Sequence, residues 1–274
     1  MFLGNRPPKL LMDLGKLKLI KKDILKESLI PKEKNDQFCV LYVDGTGNLT
    51  FEEADATFWG AKVFSRFDYT TYLFVSLSND AREIKKIIDK YPNTKVHSIP
   101  PLKNALTYNE WMANAPWFLI PPKHEFCYAT QSDGGLIAKG WEDYVIEGDW
   151  DYIGSPWRSD IEVLAVEKLN TLRVANGGIS VRRLKSVKKI VEYINSKGGQ
   201  HNYFKGIKID GEIKQQNSWL AEDAMLCSVG FTKGFFKELK EEDARKFGHE
   251  PIELSLFMDK NNPARPYLMH KIDC

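Results

Sequence analysis

Six apolar residues in a row, Phe38-Cys39-Val40-Leu41-Tyr42-Val43, stop abruptly at Asp44-Gly45-Thr46-Gly47. A strand with one wet face alternates apolar and polar side chains, so a continuous run of this length has no face to offer water. It needs cover on both sides. Helices above and below a parallel sheet supply that cover, and the rest of the chain repeats the theme. Tyr72 to Leu77, Val96 to Ile99 and Phe126 to Thr130 are further strand-like runs. Between them Ile84, Ile87, Ile88 and Tyr91 mark one face of a helix stopped by Pro92. Thr107-Tyr108-Asn109-Glu110 has the form of a capping box and predicts a helix start through Trp111. The expected fold class is therefore α/β, one domain with a mostly parallel, Rossmann-like sheet.

After residue 140 the pattern loosens. Trp150 to Gly154 and Ile179 to Val181 predict short strands, and Leu184, Val187, Ile190, Val191 and Ile194 predict a helix ending at Gly198-Gly199. The polar stretch 200–217 reads as a loop, and Trp219 to Val229 has helical spacing. Residues 1–35 stand apart, with nine basic residues against four acids in a chain whose net charge is +2. Two domain spans follow: a basic helical N-terminal arm at 1–35 and a main domain at 36–274. The arm packs on that domain or makes a weak contact with an anionic membrane, and its irregular apolar stripe favours packing.

Charge and cysteines narrow the function. With 39 Lys and Arg against 37 Asp and Glu, no basic excess marks a nucleic-acid binder. The four cysteines stand far apart with no CxxC pair, which argues against a zinc site, and a chain this large needs no disulfide scaffold. No signal-peptide or membrane-spanning run interrupts the N-terminal lysines, so a cytoplasmic protein is expected.

Several residues can carry chemistry. Asp133, in Gln131-Ser132-Asp133-Gly134-Gly135, follows the end of a buried strand, where open α/β sheets bind their ligands. It either ligates a divalent metal on phosphates or bonds its own turn. Asn176-Gly177-Gly178 permits close approach of a substrate, or forms an ordinary turn. Glu222-Asp223 offers a general base near a helix start. Adjacent helical positions point about 100° apart, so only one of the two can face a given pocket. His270 can complete a metal site, although a lone histidine near a chain end is more often at the surface. Gly45-Thr46-Gly47 lacks the features of a P-loop or dinucleotide fingerprint.

Taken in order, these segments resemble the DUF5672 family, whose pattern is similar to that of GT-A nucleotide-sugar glycosyltransferases. The resemblance spans about residues 37–272. It rests on Tyr108-Asn109 with Trp111, Gln131-Ser132-Asp133 and Asp151-Tyr152-Ile153-Gly154-Ser155-Pro156-Trp157. Asn176-Gly177-Gly178-Ile179-Ser180-Val181-Arg182, Glu222-Asp223 and Pro266-Tyr267-Leu268-Met269-His270-Lys271 complete it. It implies a GT-A-like fold and a metal-dependent, inverting transfer from a nucleotide sugar, with UDP the expected nucleotide, to a carbohydrate or glycoconjugate hydroxyl. Asp133 would correspond to the last acid of the Asp-x-Asp motif, with Gln131 in place of the first, and would hold Mn2+ or Mg2+ with His270. Asp44, Gly45, Gln131 and Ser132 would line the nucleotide. Asn176, Gly177, Gly178 and Trp157 would face the sugars, Asp223 would be the base, with Glu222 in reserve, and 200–217 would be a lid. Two other classes remain: a degenerate carbohydrate- or nucleotide-binding relative, which Gln131 favours, and a nucleotidyltransferase, which the absence of Lys or Arg from Asp44–Asn48 disfavours.

Overall fold

The computed structural model describes residues 32–132, 134–136, 138–156, 161–165, 177–199, 204–209, 212–214, 222–249, 252–253, 267–270 and 272–273. The basic arm up to residue 31 lies outside them. In chain order the described elements are β1 (Lys34–Asp44), α1 (Phe51–Phe64), β2 (Asp68–Ser76), α2 (Ala81–Lys90), β3 (Thr94–Ile99), α3 (Ala105–Leu119), β4 (Phe126–Thr130), β5 (Gly134–Leu136), α4 (Trp141–Gly148), β6 (Tyr152–Gly154) and β7 (Ile161–Ala165). β8 (Ser180–Arg183), α5 (Leu184–Ser196), β9 (Phe204–Ile209), β10 (Glu212–Lys214), α6 (Glu222–Thr232), α7 (Glu241–Phe247), β11 (Gly248–His249), β12 (Ile252–Glu253), β13 (Leu268–His270) and β14 (Ile272–Asp273) follow.

The fold is α/β, built on a six-stranded sheet in the order β3-β2-β1-β4-β8-β6. β1 pairs in parallel with β2 and β4, and β2 with β3; β8 runs antiparallel to both β4 and β6. The opening apolar run is buried on both faces. Cys39 and Leu41 join one core with α3, α5 and α6, while Phe38 and Val40 join a second with Trp59 and Trp141. Three described cysteines, Cys39, Cys127 and Cys227, are free and buried. Among the described residues no helix is long and apolar enough to cross a membrane.

The structure corrects three expectations. α1 has no counterpart in the sequence reading, yet its start is written as Thr50-Phe51-Glu52-Glu53. Thr50 accepts from the Glu53 amide and Glu53 reaches back to the Thr50 amide, a reciprocal cap. α3 begins three residues before the predicted start: Asn104 is its cap and Thr107 is the third helical residue, bonded back to it. The stretch 200–217 is not a plain loop, because β9 and β10 pair antiparallel, with Ile209 opposite Glu212, and β7 pairs on the far side of β9. The two residues between them are Asp210-Gly211, a dipeptide that favours a tight hairpin between strands. A further adjustment concerns the N-terminal boundary. β1 starts at Lys34, and the Lys32 ammonium donates to the carbonyls of Lys62 (2.6 Å), Val63 (3.2 Å) and Ser65 at the end of α1. A cation there satisfies carbonyls that the helix leaves open.

Candidate functional site

Parallel strands β1 and β4 lie side by side in the middle of the sheet, but their chains depart in opposite directions: β1 towards β2 and β3, β4 towards β8 and β6. A reversal of this kind opens a crevice beyond the C-terminal strand ends. β8 is antiparallel, with Ser180 opposite Ala129, so its N-terminal side reaches the same edge. Gly154 pairs with Ser180 and brings the end of β6 there too. Asp44 and Gly45, Gln131 and Ser132, Gly177 and Gly178 thus share one edge of the sheet.

Their surroundings differ. Asp44 Oδ1 accepts from the Thr46 amide (2.9 Å) and hydroxyl (2.7 Å), which is the turn-aspartate arrangement. Gly45 is buried; its carbonyl accepts from the Leu102 amide, and a Cβ on it would overlap the Leu102 side chain. What approaches Gly45 closely is this leucine. Gln131 Nε2 donates to the Tyr108 hydroxyl at 3.3 Å, and Ser132 is half-buried beside it. Asp133, Trp157 and Asn176 lie outside the described residues.

The acidic pair is drawn into a buried cluster with the glycine turn. Asp223 Oδ2 accepts from the Gly177 amide at 2.6 Å and Oδ1 from the Ala224 amide at 2.7 Å. Glu222 Oε1 accepts from Arg182 Nη2 at 2.7 Å, and the same nitrogen donates to the Gly177 carbonyl at 3.2 Å. The two carboxylates thus take different partners, Asp223 the Gly177 amide and Glu222 the Arg182 guanidinium. Gly177 joins the two sides, its amide to Asp223 directly and its carbonyl to Glu222 through Arg182. A Cβ on Gly177 would overlap Asp223 and stand 2.8 Å from Arg182 Nη2. These two side chains leave no room for a Cβ at Gly177.

Arg182 is fully buried on β8, where sequence reasoning gave it no role. Its guanidinium lies over Trp117 (4.8 Å to the ring centroid) and Tyr152 (5.3 Å), and its Nε donates to Ser180 Oγ at 2.9 Å. Even Trp117 has a sequence-level cause. Pro116 inside α3 has no amide to give the Met112 carbonyl, and the Trp117 indole donates to that carbonyl instead, at 2.6 Å. The indole is thereby fixed beneath the guanidinium. Two adjacent arginines, Arg182 and Arg183, between Val181 and Leu184 were the available signal: neighbouring strand positions face opposite sides, so one of the two charges points into the core and must find a partner. Removing one member of such a pair costs ~3–5 kcal/mol.

Electrostatics single out Asp223. Burial, and then the neighbouring Glu222 charge, push its carboxyl up to about 7, while the Gly177 and Ala224 amides and Arg182 oppose the rise. Each of its oxygens spends one lone pair on an amide and keeps another, so it can still accept a proton. For Arg182 burial disfavours the charge, but Glu222 and Tyr152 outweigh it and hold the guanidinium above its ordinary value. Burial first, and then Glu222, raise the Tyr108 phenol, which ties the Gln131 contact to the acidic cluster. Arg182 Nη1 and the buried Ser155 Oγ find no hydrogen-bond partner among the described residues. An orphaned buried polar group costs ~1–3 kcal/mol, and such costs gather at functional sites.

For a metal, the described residues contain no group of three His, Cys, Asp or Glu side chains able to hold one. The backbone nevertheless returns the C-terminal segment to this region. β13 pairs with β5, and His270 stands opposite Gly134, the residue after Asp133. An imidazole and a carboxylate are suitable donors for a divalent ion whose other ligands are phosphate oxygens and water.

A family described as a protein of unknown function, DUF5672, matches residues 93–270, a shorter span than the 37–272 of the sequence resemblance. Among curated proteins none matches the sequence. Mouse xyloside xylosyltransferase 1, in an apo form, is similar in structure at 7% identity and a TM-score of 0.46, over 88% of this chain and 97% of that one. Core-mannan synthase A from Aspergillus fumigatus, in an Mn/GDP form, is similar at 7% identity and 0.45, over 72% and 70%. 4-Diphosphocytidyl-2C-methyl-D-erythritol synthase from Anaerococcus prevotii is similar at 12% and 0.38, over 60% and 76%. These names span two kinds of transfer, and likeness of fold at this level does not choose between them. The site residues must.

Proposed function

This chain belongs to the DUF5672 family, and from that premise we propose that it is a glycosyltransferase moving a sugar from a nucleoside-diphosphate sugar, with UDP the expected nucleotide, to an acceptor hydroxyl with inversion. The observation that carries the proposal is Asp223: a buried carboxylate at the crevice edge, raised towards neutrality and free of any direct cation contact among the described residues. A general base for a hydroxyl needs that combination of proton affinity near the working pH and a remaining lone pair. Its neighbour Glu222 is committed to Arg182.

The chain's own residues divide the work as follows. Asp223 takes the proton of the acceptor hydroxyl as its oxygen attacks the anomeric carbon. Gly177 keeps Asp223 oriented through its amide. Gln131 stands just past the end of β4, where the diphosphate is expected, and its amide is held by the Tyr108 hydroxyl from α3. Burial around the acidic pair excludes water that would compete with the acceptor. Asp133 and His270 are the residues proposed to hold Mn2+ or Mg2+, and a divalent cation there would neutralise charge on the leaving diphosphate. The expected partners are a nucleotide sugar and a carbohydrate or glycoconjugate acceptor.

The test is a panel of UDP- and GDP-sugars with manganese, assayed for transfer and for slow donor hydrolysis, in the native protein and in Asp223→Asn. Turnover lost in the variant with nucleotide binding retained supports the proposal; binding without turnover in both proteins supports the second reading. That reading, a carbohydrate- or nucleotide-binding relative without catalysis, draws on Gln131, which stands where an acid is expected and whose amide is occupied by Tyr108.

A further inference from the structure

Arg182 lies in the interior of the fold, and nothing in the proposed reaction brings it to a substrate. Its Nη2 nevertheless touches both halves of the site, donating to the Glu222 carboxylate at 2.7 Å and to the Gly177 carbonyl at 3.2 Å. Gly177 is then held at both ends, its carbonyl by Arg182 and its amide by Asp223. We propose that Arg182 is a positioning residue that pins Glu222 and the Gly177 turn, leaving Asp223 as the carboxylate that accepts the proton. The proposal rests on the glycosyltransferase reading for its purpose, though not for its geometry.

A plain structural ion pair is the competing explanation, and its geometry is a poor match. One guanidinium nitrogen has no partner among the described residues, and the group is packed between Trp117 and Tyr152, where an apolar side chain would fit without desolvation. The charge is retained where it acts on the acids. Asp223 faces Glu222 on its own helix α6, Arg182 from β8, Tyr108 from α3 and Tyr152 from β6, with Cys227 one turn further along α6. Arg182 is the cation among these groups, so its removal raises the proton affinity of Asp223 and loosens the turn that aims it. Removal of Glu222 acts in the opposite direction.

The experiment follows the Asp223 side-chain carboxyl carbon and the Gly177 amide by NMR through a pH titration of the full chain. The two signals should share one midpoint. Arg182→Met should move it up by about 1 pH unit and Glu222→Gln should move it down. Arg182→Lys, which keeps the charge but not the two-way contact, should leave the midpoint near its native value while displacing the Gly177 amide signal. If Arg182→Met does not fold, the charge-balanced Arg182→Met/Glu222→Gln pair is read against Glu222→Gln alone. The pair should titrate above the single variant, and coincident midpoints would overturn the proposal. An Arg182→Met midpoint equal to the native one would overturn it as well. No nucleotide sugar enters this titration. Shifted midpoints without sugar transfer from any donor would therefore retain the positioning role and remove the glycosyltransferase reading.

Discussion

Gly177→Ala is the smallest change that disturbs the site from within. Its Cβ would overlap the Asp223 side chain and press on Arg182 Nη2 at 2.8 Å, and neither neighbour has room to retreat. Asp223 is held by two amides, and Arg182 is boxed between two aromatic rings. Overpacking a rigid site costs ~1–3 kcal/mol, and weakening the amide–carboxylate bond adds up to the ~1.5–3 kcal/mol of a charge-assisted contact. The two losses share the same atoms and do not simply add, so a net destabilisation of roughly 2–4 kcal/mol is expected. Urea unfolding followed by tryptophan fluorescence reads this directly. With a slope of about 3 kcal/mol/M, the midpoint should fall by roughly 1 M. Gly135→Ala is the control, since a Cβ there meets nothing within 4 Å, and its stability should stay within ~0.5 kcal/mol of native. If Gly177→Ala unfolds at the native midpoint and keeps native turnover, the close approach of Gly177, Asp223 and Arg182 is wrong.

Asp223→Asn should lower kcat by roughly 10²–10⁴ while nucleotide binding survives, and native turnover in that variant would remove the base assignment. The same carboxyl predicts two pH effects. Only the ionised form accepts a proton, so kcat/KM should rise with pH through about 7. For stability, the unfolded chain releases this proton near 3.8 and the folded chain near 7; the folded state binds more protons between them, so this group's contribution falls as pH rises over that interval. Asp223→Asn should flatten that slope in denaturation midpoints taken from pH 4 to 7. Calorimetry with UDP should show tighter binding with manganese than without, and Asp133→Asn should remove the difference, ~1.5–3 kcal/mol; equal affinities in the native protein would exclude the metal. A chain beginning at Lys32 should keep native stability, whereas one beginning at Asp36 should melt lower, because Lys32 caps the end of α1 and the Glu33 carbonyl accepts from the Asp68 amide at 2.9 Å. Equal melting temperatures would place the boundary at residue 36 after all.

Much of the scaffold is legible in the sequence because its signals are local. The unbroken run from Phe38 to Val43 announces a strand covered on both faces, and the 3.6-residue spacing of Leu184 to Ile194 announces α5. The caps at Thr50 and Asn104 and the Asp210-Gly211 hairpin signal are equally local, and careful reading recovers them. Gln131, Gly177 and Asp223 are recognisable one by one as strand-end or helix-start residues. Their assembly is not. Arg182 meets Glu222 across 40 residues, Asp223 meets Gly177 across 46, and His270 comes back to face Gly134 from the far end of the chain. These encounters follow from the order of strands in the sheet. β8 inserts antiparallel between β4 and β6, turning the Gly177 segment towards the crevice, and α6 packs against α3 and α5 so that its first turn meets that segment. Residue spacing encodes which face of an element is apolar; it carries no record of which element lies beside it. That is why the sequence resemblance could name Asp223 as the base with Glu222 in reserve, yet could not show the buried arginine that the folded sheet brings to Glu222.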